Sequence, residues 1–110
     1  MLAFDVGLAE RLREIFQDQP NVREKKMFGG LAFMVNGNMC CGIVSETLML
    51  RVGAEQYDEA LARPHARKMA FTGKPMKGMI YVDPDGFAED ADLQDWVQRG
   101  LNFVQALPPK

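Results

Sequence analysis

The chain has 110 residues, a formal net charge of −2 and 47% hydrophobic residues. This length and composition predict a single folded domain, residues 1–110, with one hydrophobic core. The negative net charge provides no overall attraction to nucleic acid or to anionic membranes. Its apolar runs fall short of the roughly 18 residues that span a bilayer, and its N-terminus lacks the pattern of a secretory signal. We therefore expect a cytoplasmic protein.

The first predicted element is a helix over residues 5–18. Leu8, Leu12 and Phe16 recur at helical spacing, and Asp5 is the expected N-cap. Pro20 ends the helix, because the residue before a proline avoids helical geometry.

Three strands are predicted next, over residues 26–35, 39–44 and 47–52. Asn36-Gly37 joins the first two, because both residues tolerate the positive φ angles of a two-residue hairpin turn. Gly29-Gly30 interrupts the first strand and predicts a bulge or the close approach of another backbone segment.

The second half begins with a short helix over residues 54–63, which Pro64 ends. The remaining predicted elements are strands over 68–72 and 78–82, a loop at Gly73-Lys74-Pro75, a turn over 83–86 and a helix over 92–107 with Asp92 as N-cap. The order α-β-β-β-α-β-β-α predicts the α+β class, with helices on an antiparallel sheet of about five strands in two layers.

The residues that could carry chemistry do not form a recognisable set. Cys40 and Cys41 are adjacent, and neighbours on a strand point to opposite faces, so we expect one to be buried and one to face outward. His65 is the only histidine and has no obvious partner for zinc. The acidic residues between Asp83 and Asp92 do not have the register of a calcium loop. We predict no metal, no cofactor and no catalytic residues, and therefore no enzyme.

A basic stretch over residues 63–77 is the main candidate for an interaction site. It contains no acidic residue, so it could contact phosphates, although lysines on an ordinary solvated sheet edge are the favoured explanation. The candidate contacts with a partner or with phosphate are Arg63, His65, Arg67, Lys68, Lys74, Met76 and Lys77.

Several segments resemble the TfoX/Sxy N-terminal domain family. They are Met27-Phe28-Gly29-Gly30 through Asn36-Gly37, Leu48 to Val52, Phe71 to Gly78 and Tyr81 to Pro84. The resemblance covers nearly the whole chain and marks Phe28, Gly29, Gly30, Asn36 and Gly37 as its structural motif. It implies a fold similar to secretion chaperones and supplies no catalytic residues. The family's best-known members regulate natural competence in bacteria with a catabolite-activator partner, and they carry a second, C-terminal domain. Here we expect a single-domain member without that second domain.

These observations favour a small, non-enzymatic regulatory or protein-interaction domain that works through a protein partner. Uncovered sheet edges also favour a homodimer. One alternative is a nucleic-acid-associated transcription regulator that uses the 63–77 stretch. A second alternative is a small-molecule-binding or enzymatic domain, which would need a pocket that the sequence does not reveal.

Overall fold

A computed structural model describes residues 4–27, 29–71 and 74–109, with the backbone alone at 70–71 and 74–76. The helices are α1 (Val6–Phe16), α2 (Tyr57–Leu61) and α3 (Asp90–Gln105). The strands are β1 (Val22–Met27), β2 (Gly30–Val35), β3 (Asn38–Val44), β4 (Thr47–Arg51), β5 (Ala66–Phe71) and β6 (Lys74–Val82). Phe28, Thr72 and Gly73 lie outside the described residues.

The strands form one open antiparallel sheet in the order β1-β2-β3-β4-β6-β5. This confirms the α+β class and the predicted order of elements, with one strand more than expected. The additional strand is β1, whose charged sequence Arg23-Glu24-Lys25-Lys26 has no apolar alternation. Its position at the edge of the sheet explains how it tolerates exposed side chains.

The chain reverses direction where the sequence predicted one interrupted strand. Met27 pairs with Gly30, and Gly29 has a φ of 73° between them. A β-carbon on Gly30 would overlap the Ile43 carbonyl oxygen of β3. Gly29 therefore serves the turn and Gly30 the close backbone approach, which is the second of the two alternatives predicted for this pair.

The Asn36-Gly37 turn is confirmed. Both residues have positive φ angles, 53° and 83°, and the flanking residues Val35 and Asn38 are paired across the hairpin. These are the backbone angles that a two-residue hairpin turn requires.

All three helices contribute to one main core. Leu12 from α1, Tyr57 from α2 and Val97 from α3 belong to the same buried cluster as the inward side chains of the strands. Phe16 stacks on Phe33 of β2 with ring centroids 5.3 Å apart, and the Trp96 indole N–H donates to the Gly86 carbonyl oxygen. The burial of these large side chains is the dominant stabilising contribution to a domain of this size.

The helix ends agree in part with the predicted caps. The Asp5 carboxylate accepts a hydrogen bond of 3.2 Å from the Leu8 backbone N–H, which confirms Asp5 as the N-cap of α1. The predicted N-cap of the last helix was wrong by three residues, because α3 begins at Asp90 and its N-cap is Glu89 and not Asp92. The backbone N–H of Asp92 already donates to Glu89 within the first turn.

Two connections also differ from the prediction. β6 begins at Lys74, so Lys74 and Pro75 belong to a strand rather than to a loop. The C-terminal segment is attached to the sheet, because the nearly buried Asn38 side chain donates a 3.0 Å hydrogen bond to the Pro108 carbonyl oxygen. Among the described residues, none of the helices is both long and apolar enough to cross a membrane.

Candidate functional site

The two faces of the sheet carry different side chains. The helical face packs against α1, α2 and α3 through residues such as Phe33, Leu50 and Ile80. Side chains alternate along a strand, so the intervening positions point to the opposite side, which we call the open face. The open face includes Arg23 and Lys25 of β1, Met34 of β2, Met39 and Val44 of β3, Met49 of β4, Arg67 and Met69 of β5, and Met79 and Tyr81 of β6.

A methionine cluster occupies the centre of the open face. Met49, Met69 and Met79 are buried there, and every residue of this cluster comes from a strand. Met49 lies directly over Gly42, since a β-carbon on Gly42 would come within 2.6 Å of the Met49 terminal methyl carbon. The strands therefore form this second apolar cluster on the face opposite the helices.

The rim of the methionine cluster is partly exposed. Met39, Val44 and Tyr81 pack against its buried members, and Met34 is also half-buried on the same face. Methionine side chains are unbranched and polarizable, so they adapt to partners of irregular shape. We call Met34, Met39, Val44 and Tyr81 the methionine rim, which is partly exposed apolar surface in the described part of the open face.

Two exposed cations of β1 lie next to this rim. Arg23 pairs with Met34 and Lys25 with Ala32 across the β1–β2 ladder, so both cations point to the open face. Among the residues that the structure describes, neither has an acidic side chain within ion-pair distance. Their positive charges are therefore available to an outside ligand.

The carboxylate between the two cations faces the other way. Glu24 points to the helical face and accepts two hydrogen bonds of 2.7 Å from the Arg13 guanidinium of α1. These hydrogen bonds lower the pKa of Glu24, although partial burial acts in the opposite direction. Glu24 is therefore ionised and neutralised by Arg13, and it does not offset the charge on the open face.

A cavity of about 560 Å³ lies at this end of the sheet. Arg23, Lys25 and Met34 line it together with Asn36 of the hairpin turn and Pro109 of the C-terminal segment. Glu24 also lines the cavity, but its carboxylate is hydrogen-bonded to Arg13. A cavity of this size falls within the usual range of ligand pockets. Its two exposed cations favour an anionic group.

The predicted contact residues of the 63–77 stretch do not form one surface of free charges. Arg67 pairs with Asp83 at 3.0 Å and stacks over the Tyr81 ring, and Arg63 lies 3.8 Å from Asp95. Lys68 and Lys77 are exposed, but Lys68 follows Arg67 on a strand and so faces the other side of the sheet.

The other predicted contacts in this stretch have different settings. His65 is exposed in the turn before β5, with a φ of 70°, and its carbonyl oxygen accepts from the Asp83 N–H. Lys74 and Met76 are part of β6, but their side chains lie outside the described part of the structure. The turn geometry of His65 gives this residue a structural role.

The cysteine prediction was wrong. Cys40 and Cys41 are both completely buried and both belong to the main core. The ladder slips between Phe33 and Met34, which leaves Cys40 as an extra residue in β3. Such a bulge turns two consecutive side chains to the same face. A hydrogen bond with the adjacent Cys40 thiol, together with burial, raises the pKa of Cys41, so it stays a protonated, weakly reactive thiol.

A larger groove lies between α3 and the segment that precedes α2. Its volume is about 750 Å³, and Phe103 and Leu107 supply apolar surface. Among its charged groups, Arg99 contacts Glu59 at 3.2 Å and Asp95 at 3.8 Å, whereas Glu55 has no ion-pair partner among the described residues. The buried Nε of Arg99 has no hydrogen-bond partner among the described residues, and the acidic residues of the groove outnumber this cation. The groove therefore does not favour an anionic group as the β1 cavity does.

The described residues contain no group of three or more histidine, cysteine or acidic side chains placed to hold a metal ion. The structure thus defines the chain as a small α+β domain with helices on one face of an open antiparallel sheet and, on the other, a methionine cluster with Arg23 and Lys25 at its β1 side. The model of the TfoX N-terminal domain matches residues 14–104, so the chain belongs to this family. No curated protein and no solved structure gave a match.

Sequence reasoning missed the two cations of the open face. Arg23 and Lys25 lie in a charged segment that lacks the apolar alternation of a strand, so it was not predicted to belong to the sheet. The available signal was the Gly29-Gly30 pair, since a hairpin there would have placed residues 22–27 alongside β2.

Proposed function

We propose that this domain works as a non-enzymatic, regulatory protein-interaction module and that the open face of its sheet is the surface that contacts a protein partner. The observation that carries this proposal is the partial exposure of Met34 and Met39 of the methionine rim, on the same face as an apolar cluster formed by strand residues. Apolar surface that remains accessible is a common mark of an interaction site. The flexible methionine side chains of this surface can repack around partners of different shapes.

Membership of the TfoX N-terminal domain family supports the proposal. The family's best-known members act in the regulation of natural competence, together with a partner protein. A role of this kind requires a recognition surface rather than a catalytic centre. A partner could bind the open face as its recognition surface without disturbing the main core, because the main core is packed on the opposite side of the sheet.

The test is affinity purification from the native organism with the complete chain as bait. Met39→Gln replaces an apolar side chain of the rim by a polar one of similar length, and Val6→Gln is its control on the exposed surface of α1. We expect specific proteins to be recovered with the wild type and with Val6→Gln but to be depleted with Met39→Gln. Equal recovery with all three, when each has wild-type stability, would reject the open face as the interaction surface.

A second copy of the chain is the partner in the dimer that we also propose. Sedimentation equilibrium distinguishes this case, since a dimer has twice the 12.4 kDa monomer mass. A wild-type dimer that Met39→Gln converts to a monomer would identify the open face as the dimer interface. A monomer at about 100 μM would reject self-association, because a modest interface has a micromolar dissociation constant.

A further inference from the structure

We propose that the partner segment bound by the open face is an acidic amphipathic helix, whose carboxylates bind Arg23 and Lys25 while its apolar side chains contact the methionine rim. This inference rests on the proposed function and adds the chemistry of the partner. It follows from the arrangement of charge, cavity and apolar surface on this side of the sheet.

Charge complementarity is the first argument. Arg23 and Lys25 are both exposed and have no acidic partner among the described residues. The one carboxylate between them, Glu24, is held on the helical face by Arg13. A ligand that approaches the open face at β1 therefore meets two positive charges and is favoured when it carries carboxylates.

The spacing of the two cations is the second argument. Residues two apart on a strand point to the same face and are separated by about 6.5–7 Å. Acidic side chains three or four positions apart on a helix have Cβ atoms about 5–6 Å apart. Flexible lysine and arginine side chains bridge the difference, so one helical turn of a partner can place a carboxylate near Arg23 and another near Lys25.

Continuity between the polar and apolar parts is the third argument. Met34 lines the 560 Å³ cavity with Arg23 and Lys25, and it pairs across the β2–β3 ladder with Met39 of the rim. A bound segment thus meets cations and methionines side by side. An amphipathic helix with acidic residues beside an apolar stripe can place its carboxylates against the cations and its apolar side chains against the methionines.

The aromatic content of the open face favours a protein over a nucleic acid. Single-stranded nucleic acids bind on several aromatic platforms that stack with successive bases. In the described part of the open face, Tyr81 is the only aromatic side chain, and the Arg67 guanidinium already lies 4.7 Å from its ring centre. The methionine rim instead offers apolar contacts to the aliphatic side chains of a protein.

The experiment measures binding of a fluorescently labelled amphipathic peptide built from Glu and Leu to the complete chain. The variants are Arg23→Glu and Lys25→Glu, and the matched control is Lys26→Glu. Lys26 is also an exposed lysine of β1, but it faces the helical side of the sheet. The three variants change the net charge equally, so differences among them report position rather than overall charge.

We expect the acidic peptide to bind the wild type, and each open-face variant to weaken binding by about five- to tenfold, whereas Lys26→Glu changes it by less than about twofold. A charge-inverted Lys/Leu peptide should bind much more weakly than the Glu/Leu peptide. Equal losses in all three variants, or equal binding of both peptides, would overturn the inference. Tighter binding of duplex DNA, an RNA oligonucleotide or anionic vesicles, with the same dependence on Lys25, would assign the surface to that class instead.

The failure of this inference differs from the failure of the proposed function. If Met39→Gln depletes the recovered proteins while Lys25→Glu and Lys26→Glu recover them equally, the open face is the interaction surface but the partner is not recognised through carboxylates. If Met39→Gln has no effect, the proposed function itself fails.

Discussion

Replacing Gly30 by alanine tests whether β2 and β3 approach as closely as the structure shows. The φ angle of Gly30 is not in the left-handed region, so alanine can adopt its backbone conformation. The obstacle is steric, because the new β-carbon would overlap the Ile43 carbonyl oxygen and lie 3.0 Å from the Ile43 carbonyl carbon. These atoms belong to the backbone of β3, so relief requires a strand to move rather than a side chain to rotate.

The expected cost follows from three contributions. Overpacking of this kind destabilises by about 1–3 kcal/mol. Displacing β3 weakens a ladder hydrogen bond worth about 1 kcal/mol. The loss of glycine flexibility in the unfolded chain returns about 0.4–1 kcal/mol. The contributions sum to a destabilisation of about 1–3.6 kcal/mol. The middle of this range, about 2.3 kcal/mol, corresponds to a lowering of Tm by about 10–20 °C for a domain of this size.

Gly29→Ala is the matched control for Gly30→Ala. Gly29 has a φ of 73°, but a β-carbon there would meet no atom within 4 Å. The strain of the left-handed conformation, about 1–2 kcal/mol, is partly offset by the unfolded-state effect, so the net cost should be about 1 kcal/mol. Urea denaturation of both variants gives the two free energies of unfolding. If Gly30→Ala cost no more than Gly29→Ala, the close approach of β2 to β3 would be refuted.

Three further predictions concern a turn, an ion pair and the basic stretch. Gly37→Val should destabilise the fold by more than about 1 kcal/mol, because the φ of 83° is unfavourable for a β-branched residue; an unchanged Tm would contradict this. Arg13 lowers the pKa of Glu24, so the stabilisation from its ionised carboxylate is present above the ordinary glutamate pKa and is lost as the pH falls through the lowered folded-state pKa. The free energy of unfolding of Glu24→Gln should therefore fall below that of the wild type by less than about 1 kcal/mol at pH 7 and converge with it in acid, and a pH-independent difference would argue against the pair. Duplex DNA should bind weakly, and charge reversal at Lys74 and Lys77 should have little effect on it. Sub-micromolar, sequence-selective binding at about 200 mM salt, with a log–log salt slope of about −0.9 per neutralised phosphate and loss on that reversal, would favour a regulator that contacts DNA directly.

The sequence alone was enough to predict the features that depend on residues close together in the chain. Asp5 caps α1 through a carboxylate three residues from the N–H that it binds, and Asn36-Gly37 turns the chain because both residues tolerate positive φ angles. Such features depend on neighbours in sequence, so the sequence is enough to predict them. For the Gly29-Gly30 pair, the sequence predicted a bulge or a close backbone approach within one strand and missed the turn, because a glycine in a strand and a glycine in a turn look the same in sequence.

The orientation of the two cysteines could not be predicted from the residues next to them in the chain. Alternation along a strand predicts opposite faces for Cys40 and Cys41, but the ladder slips beside Phe33 and Met34, and both thiols enter the main core. A bulge depends on the register of the neighbouring strand, which is not encoded in the two cysteines themselves. The same limitation applies to α3, whose Gly100 allows close contact with Cys40, 60 residues earlier in the chain.

By itself, the sequence determined the class of the domain, the main helices and hairpins, and its family, because periodic apolar residues and turn chemistry are local properties. Only the tertiary structure decided that Arg23 and Lys25 stand beside Met34 on the open face while Glu24 turns away to Arg13. It also placed Arg63 and Arg67 of the basic stretch beside acidic residues. The physical reason is that the charge available to a partner depends on strand pairing and on the face to which each side chain points, and both are fixed by contacts between distant segments.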